Sequence, residues 1–183
     1  MLNTQGRRAI ALTVVSLVAA LPGPVTAQDS TAHAVWNRLR TLTGTWSGRE
    51  TGRSGNGMGE RHYDLVLADR FVHFRNRSVF PPQSANPAGE IHEDWGFFSW
   101  DAQRANVVLR QFVSEGYINQ YALRPGSTRD SVVFESESLE GAPPGLRARL
   151  TLVFRDDTHF VEQFDLGDAD ALARFLENVW RRR

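Results

Sequence analysis

Residues 89–100 read GEIHEDWGFFSW and carry the densest chemistry in the chain. His92 stands among Glu90, Glu93 and Asp94, and four aromatic residues follow within six positions. An imidazole beside a carboxylate can hold a proton, keep one ring nitrogen for a ligand, or bind a metal. Strand parity decides which acids belong to it. In an extended chain His92 and Asp94 share a face with Gly96, Phe98 and Trp100, while Ile91, Glu93, Trp95 and Phe97 point the other way. The run is therefore a His92–Asp94 pair rather than one cluster of acids. Its plainer reading is a buried histidine satisfied by a neighbouring carboxylate.

A second stretch, LRQFVSEGYINQYAL (109–123), adds polar groups of the same kind. Alternation places Gln111 with Leu109 and Val113, and Asn119 with Tyr117 and Tyr121. Apolar walls with a few polar groups are the composition of a small-molecule pocket. His92, Asp94, Gln111, Asn119 and Tyr121 are accordingly the candidate ligand-binding residues, for a small hydrophobic or amphipathic molecule. The alternative is an interior filled with side chains, in which the amides only pair with each other. Arg75 and Arg77 would hold an anionic head group at a cavity mouth or form an ordinary solvated face.

Other chemistry is poorly supported. Zinc needs three or four converging ligands, and no HExxH or HxH spacing occurs. His62, His73 and His159 would join His92 and Asp94 only if strand registers cooperate, so no metal site is assigned. There is no Gly-x-Ser-x-Gly elbow. The segment GRSGNGMG (52–59) lacks the lysine and helix of a P-loop and reads as a flexible connection. The absence of cysteine removes thiol nucleophiles, thiolate metal sites and disulfides. An acid–base enzyme using His92–Asp94 is the remaining catalytic reading, and Asp94 with Glu162 would form a carboxylate pair only by meeting across a lumen.

These side chains must be positioned by strands. Residues 30–43 pattern as a helix, with Val35, Leu39 and Leu42 on one stripe and Gly44 ending it. From Thr45 onward, short runs rich in Val, Phe, Tyr and Thr alternate with turn residues. Strands are expected near 45–52, 60–69, 70–80, 90–100, 106–114, 117–124, 131–139, 146–155 and 158–166. A tight turn is expected around 68–70, and a two-residue hairpin at Glu115-Gly116. The segment 168–183 reads as a short helix or a last strand around 178–182. Nine or ten antiparallel strands joined by short turns predict an all-β, up-and-down barrel with a short N-terminal helix, because closure removes exposed edges.

The first 27 residues have a secretory layout: basic Arg7-Arg8, an apolar stretch from Ala9 to Leu21, then Val25-Thr26-Ala27 before Gln28. The apolar run is shorter than the roughly 20 residues of a membrane span. Residues 1–27 are thus expected to be a signal peptide, with 28–183 one domain in the periplasm or outside the cell and no stable membrane insertion after cleavage. The whole chain balances 21 basic against 21 acidic residues. Without Arg7 and Arg8 two carboxylates are in excess, so no basic surplus points to nucleic acid.

Two motifs carry a family likeness. Gly44-x-Trp46, straight after a helix and opening a β-rich chain, resembles the calycins, the lipocalin and fatty-acid-binding-protein group. That resemblance implies a barrel whose tryptophan plugs one end beneath an arginine from the last strand, here Arg181 or Arg182. His92-x-Asp94-x-Gly96-Phe97 is similar to the His-x-Glu-x-Gly-(Phe/Tyr) segment of nitrobindins and related lipocalin-like bacterial proteins. This likeness implies haem as a cofactor, with nitrogen-oxide or peroxide chemistry, as the alternative to a largely apolar ligand. The nitrobindin iron ligand is a histidine near the C-terminus. Here the last histidine is His159, and Asp94 stands where that family has glutamate.

Overall fold

The structure, a computed structural model, describes residues 27–168 and 171–183. The expected signal peptide falls on 1–27 and so lies outside the described residues except for Ala27. Helix α1 (Ala27–Arg40) precedes ten strands: β1 (Gly44–Gly52), β2 (Gly55–Val66), β3 (Phe71–Phe80), β4 (Glu90–Asp101), β5 (Asn106–Val113), β6 (Ile118–Leu123), β7 (Ser131–Glu140), β8 (Leu146–Phe154), β9 (His159–Asp168) and β10 (Ala173–Arg182). Each strand pairs antiparallel with the next, and β10 closes on β1. The fold is the expected up-and-down barrel, and its last segment is a strand, not a helix.

The helix stripe seals one end. Val35, Leu39 and Leu42 are fully buried, and the Trp46 indole donates to the Leu42 carbonyl at 2.7 Å. Arg182 lies over the Trp46 ring, 4.5 Å from its centre, and donates to the carbonyls of Thr41 and Thr43. This is the arrangement the calycin resemblance implies, with Arg182 as the arginine. A second cation was not foreseen: Arg38 is buried, covers the Phe154 ring and pairs with Asp157 in the β8–β9 turn.

Above this plug the barrel is packed solid. Trp46, Tyr63, Phe74, Phe98, Tyr121, Phe134, Phe160 and Trp180 fill it. Glycines make the room. A side chain at Gly48 would lie 2.7 Å from the Trp180 indole, and one at Gly96 would lie 2.2 Å from Phe74. Gly57 and Gly59 face inward in the same way, against Phe80 and against Glu50 with Trp180. The segment 52–59 is thus mostly strand with inward gaps, and only Arg53-Ser54 turns the chain. Its glycines at 55, 57 and 59 recur with the period of a strand, a signal hidden by their usual association with loops.

Two turns differ in detail from expectation. The β5–β6 connection spans 114–117, closed by Val113 N–H to the Tyr117 carbonyl at 3.0 Å, with Gly116 at φ 90°. The expected β2–β3 hairpin is present, but Leu67, Ala68 and Asp69 all hold left-handed φ values of 52°, 56° and 59°. Without glycine such backbone costs roughly 1–2 kcal/mol per residue. Arg40 donates to the Asp69 carbonyl at 2.5 Å and ties the turn to α1.

Candidate functional site

The half of the barrel away from α1 encloses a cavity of about 470 Å³. Its floor is a belt of polar side chains that separates it from the packed half. Each is an inward position of its strand: Glu50 on β1, Arg61 on β2, Asn76 and Ser78 on β3, Asp94 on β4, Gln111 on β5, Asn119 on β6, Glu162 on β9 and Asn178 on β10. Strands β7 and β8 contribute apolar wall instead, including Leu139, Ala148 and Leu150. Phe80, Phe164, Leu166, Phe175 and Leu176 complete the walls.

The centre of the belt is a buried ion pair. Arg61 donates two bonds to Glu162, at 2.5 and 3.0 Å, and their side chains are 5% and 8% exposed. The guanidinium also donates to Asn76 and to the Tyr63 hydroxyl, both at 3.2 Å. It lies 4.4 Å from the Trp180 ring centre and 5.0 Å from that of Phe74. Asn178 donates to Glu162 at 3.1 Å. Burial by itself would lower the Arg61 pKa, but Glu162 reverses this and holds it well above the ordinary value. Burial also lifts the Tyr63 phenol to about 12. Glu50 is raised as well, because burial outweighs the 2.5 Å bond it accepts from Ser78.

The other focus runs along β4. As parity predicts, Asp94, Gly96 and Phe98 are buried inward, while Ile91 and Trp95 are more than half exposed. His92 lies toward the open end with Nδ1 2.9 Å from Glu115 Oε1 and Nε2 3.6 Å from Asp94 Oδ2. Burial alone would depress its pKa, but the two carboxylates outweigh burial and raise it to about 9. Gln111 donates to Asp94 Oδ2 at 3.0 Å. Asp94 Oδ1 and Asn178 Oδ1 are buried with no partner, two acceptors on the cavity floor.

Of the five candidate residues, His92, Asp94, Gln111 and Asn119 line the cavity together. Tyr121 shares their face of the sheet but lies one step lower, fully buried in the packed half and outside the cavity lining. Asp94 and Glu162 do face one lumen, but Glu162 is claimed by Arg61. Arg75 and Arg77 lie on the outer surface, opposite Trp95 and Glu93 of β4. Sequence reading missed Glu50, Arg61, Asn76, Ser78 and Asn178. Parity within each strand was their only signal, and it becomes informative once the face of every strand is known.

A haem iron needs an axial ligand. Among the described residues His92 is the one histidine lining the cavity, and carboxylates face both of its nitrogens. His33 stacks on Trp100, His62 contacts Asp64, His73 stacks on Phe97, and His159 lies outside the lining. The lining also carries Glu50, Glu90, Asp94, Glu115 and Glu162 against Arg53, Arg61 and His92, a net negative balance that repels carboxylate-bearing groups. The residues do not fit haem.

Fold and site together define a closed, ten-stranded antiparallel barrel with one half packed and the other hollow. The Rv2717c protein of M. tuberculosis is similar in fold, with a TM-score of 0.57 and 18% identity over 84% of this chain and 99% of that one. A designed fluorescence-activating barrel matches more loosely, with a TM-score of 0.42 and 14% identity over 79% of this chain and 96% of its own. No protein-family model and no curated protein matches the chain.

Proposed function

We propose that this is an exported, lipocalin-like barrel that binds a small, largely apolar molecule in its hollow half. The observation that carries the reading is the cavity itself: about 470 Å³, walled by aromatic and aliphatic side chains, with the unpaired acceptors Asp94 Oδ1 and Asn178 Oδ1 on its floor. A buried acceptor left without a donor costs about 1–3 kcal/mol. A ligand bearing a hydroxyl, amide or amine group supplies that donor, while its apolar part lies against Phe80, Leu146, Phe164 and Leu166. His92, Asp94, Gln111 and Asn119 are its polar contacts. Tyr121 supports the floor from below. Export rests on the layout of residues 1–27.

Native mass spectrometry of the protein from its periplasmic fraction, before and after extraction with organic solvent, tests the reading. A discrete mass lost on extraction is the expected result, with Gln28 at the mature N-terminus. A barrel that is empty in every preparation, and takes up no apolar probe, contradicts it.

A further inference from the structure

The rim of the cavity holds a cluster that shares only His92 with the polar contacts proposed for the lumen ligand. Glu90 and His92 are successive inward positions at the open end of β4, and Glu115 reaches them from the β5–β6 turn. One ligand atom from each of the three lies within 4.8 Å of the others. Glu90 is fixed by bonds to one of its oxygens from Ser54 at 2.7 Å and Asn86 at 3.3 Å. Among the described residues, no arginine lies within salt-bridge distance of Glu90, Asp94 or Glu115. Three carboxylates therefore face a single imidazole, and the rim attracts a cation.

A separate observation points the same way. The Asp94 side chain is 3% exposed, directly beneath His92, and its Oδ1 has no partner. Its Oδ2 is placed toward His92 Nε2, leaving Nδ1 on the side of Glu115. A metal-bound histidine is typically held this way, by a carboxylate on its second nitrogen.

We propose that Glu90, His92 and Glu115 form a binding site for a divalent transition metal at the mouth of the barrel, with Asp94 positioning the imidazole. His92 Nδ1 and one oxygen from each glutamate are the ligand atoms, and Nε2–H donates to Asp94. Bonds of roughly 2.0–2.2 Å to nitrogen and oxygen draw the three atoms closer than 4.8 Å, which side-chain rotation at the rim supplies. One nitrogen and two oxygens without sulfur suit zinc, manganese, iron(II) or cobalt(II) rather than a soft ion. Three protein ligands leave positions open toward the cavity. Asp94 Oδ1 is an acceptor for a water held there.

The test uses chelator-treated protein titrated with cobalt(II) and zinc(II), followed by calorimetry and by the cobalt absorption bands. One equivalent is expected to bind. Glu115→Gln and His92→Ala each weaken binding at least tenfold, and Asp94→Asn weakens it about 10–100-fold with unchanged stoichiometry. Glu115 is on an exposed turn, so Glu115→Gln keeps the fold, as its thermal melt will show. Three results overturn the proposal: no saturable binding at millimolar metal, affinity unchanged in Glu115→Gln and His92→Ala, or wild-type affinity in Asp94→Asn. No lumen ligand enters this assay, so its outcome is independent of whether the cavity binds a small molecule.

Discussion

Replacing Glu162 by Gln leaves the Arg61 guanidinium buried without its counter-charge. In the wild type that charge receives two bonds from Arg61 and one from Asn178, in a pair with both side chains under a tenth exposed. Removing one partner of such a pair costs about 3–5 kcal/mol. The Trp180 and Phe74 faces remain over the guanidinium and offset roughly 1 kcal/mol of this. The net loss is therefore about 2–4 kcal/mol. Urea unfolding followed by tryptophan fluorescence reads it directly: at a slope of about 2 kcal/mol/M the midpoint falls by roughly 1–2 M. The double variant Arg61→Met with Glu162→Leu removes both charges and recovers most of the loss, because an apolar pair of similar volume is often as stable. A midpoint shift below 0.3 M for Glu162→Gln, about 0.6 kcal/mol at the same slope, would show that water screens the pair and that the belt is not a desolvated floor.

Three further outcomes follow from named contacts. In chelator-treated protein the His92 imidazole titrates near 9 rather than near 6.5, read by NMR, and Glu115→Gln lowers that value. Its folded pKa is raised, so its contribution, about 3 kcal/mol at most, is fully present below pH 6.5 and fades as pH rises through 9; a His92 titration near 6.5 removes this contribution. Ala68→Gly relieves one left-handed residue of the β2–β3 turn and raises stability by about 0.5–1 kcal/mol, an effect absent if thermal melts coincide. Gly96→Ala drives a methyl to within 2.2 Å of Phe74 and costs about 1–3 kcal/mol; an unchanged melt would mean that the packed half yields to extra volume.

Much of the fold could be read from local pattern. Alternation in LRARLTLVF and in EIHEDWGFFSW gave the inward faces of β8 and β4, and the helix stripe gave the cap at the closed end. Three features resisted for physical reasons. The glycines at 57 and 59 serve a strand by leaving space for Phe80, Glu50 and Trp180, which exist only across the sheet, and Gly55 lies against Gln83 at a φ of 91°. Arg38 and Arg61 look like surface charges until Asp157 and Glu162, more than 100 residues away in sequence, reach them. Glu115 reads as a turn residue. Its partnership with His92 depends on the register of β4 with β5, set by the pairing of Asp94 with Val113. Tyr121 shows the limit of parity, which gives the face of a strand but not the depth at which a lumen closes.

Titration of a neutral apolar fluorophore into the wild type and into Ala148→Phe tests the hollow half most directly. Ala148 is buried and borders the cavity on β8, so a phenyl ring there occupies ligand space without entering the packed half. The account predicts saturable one-to-one binding to the wild type and loss of at least tenfold in affinity in Ala148→Phe, with the two melts close together. Equal binding by both proteins, or none by the wild type, would contradict it.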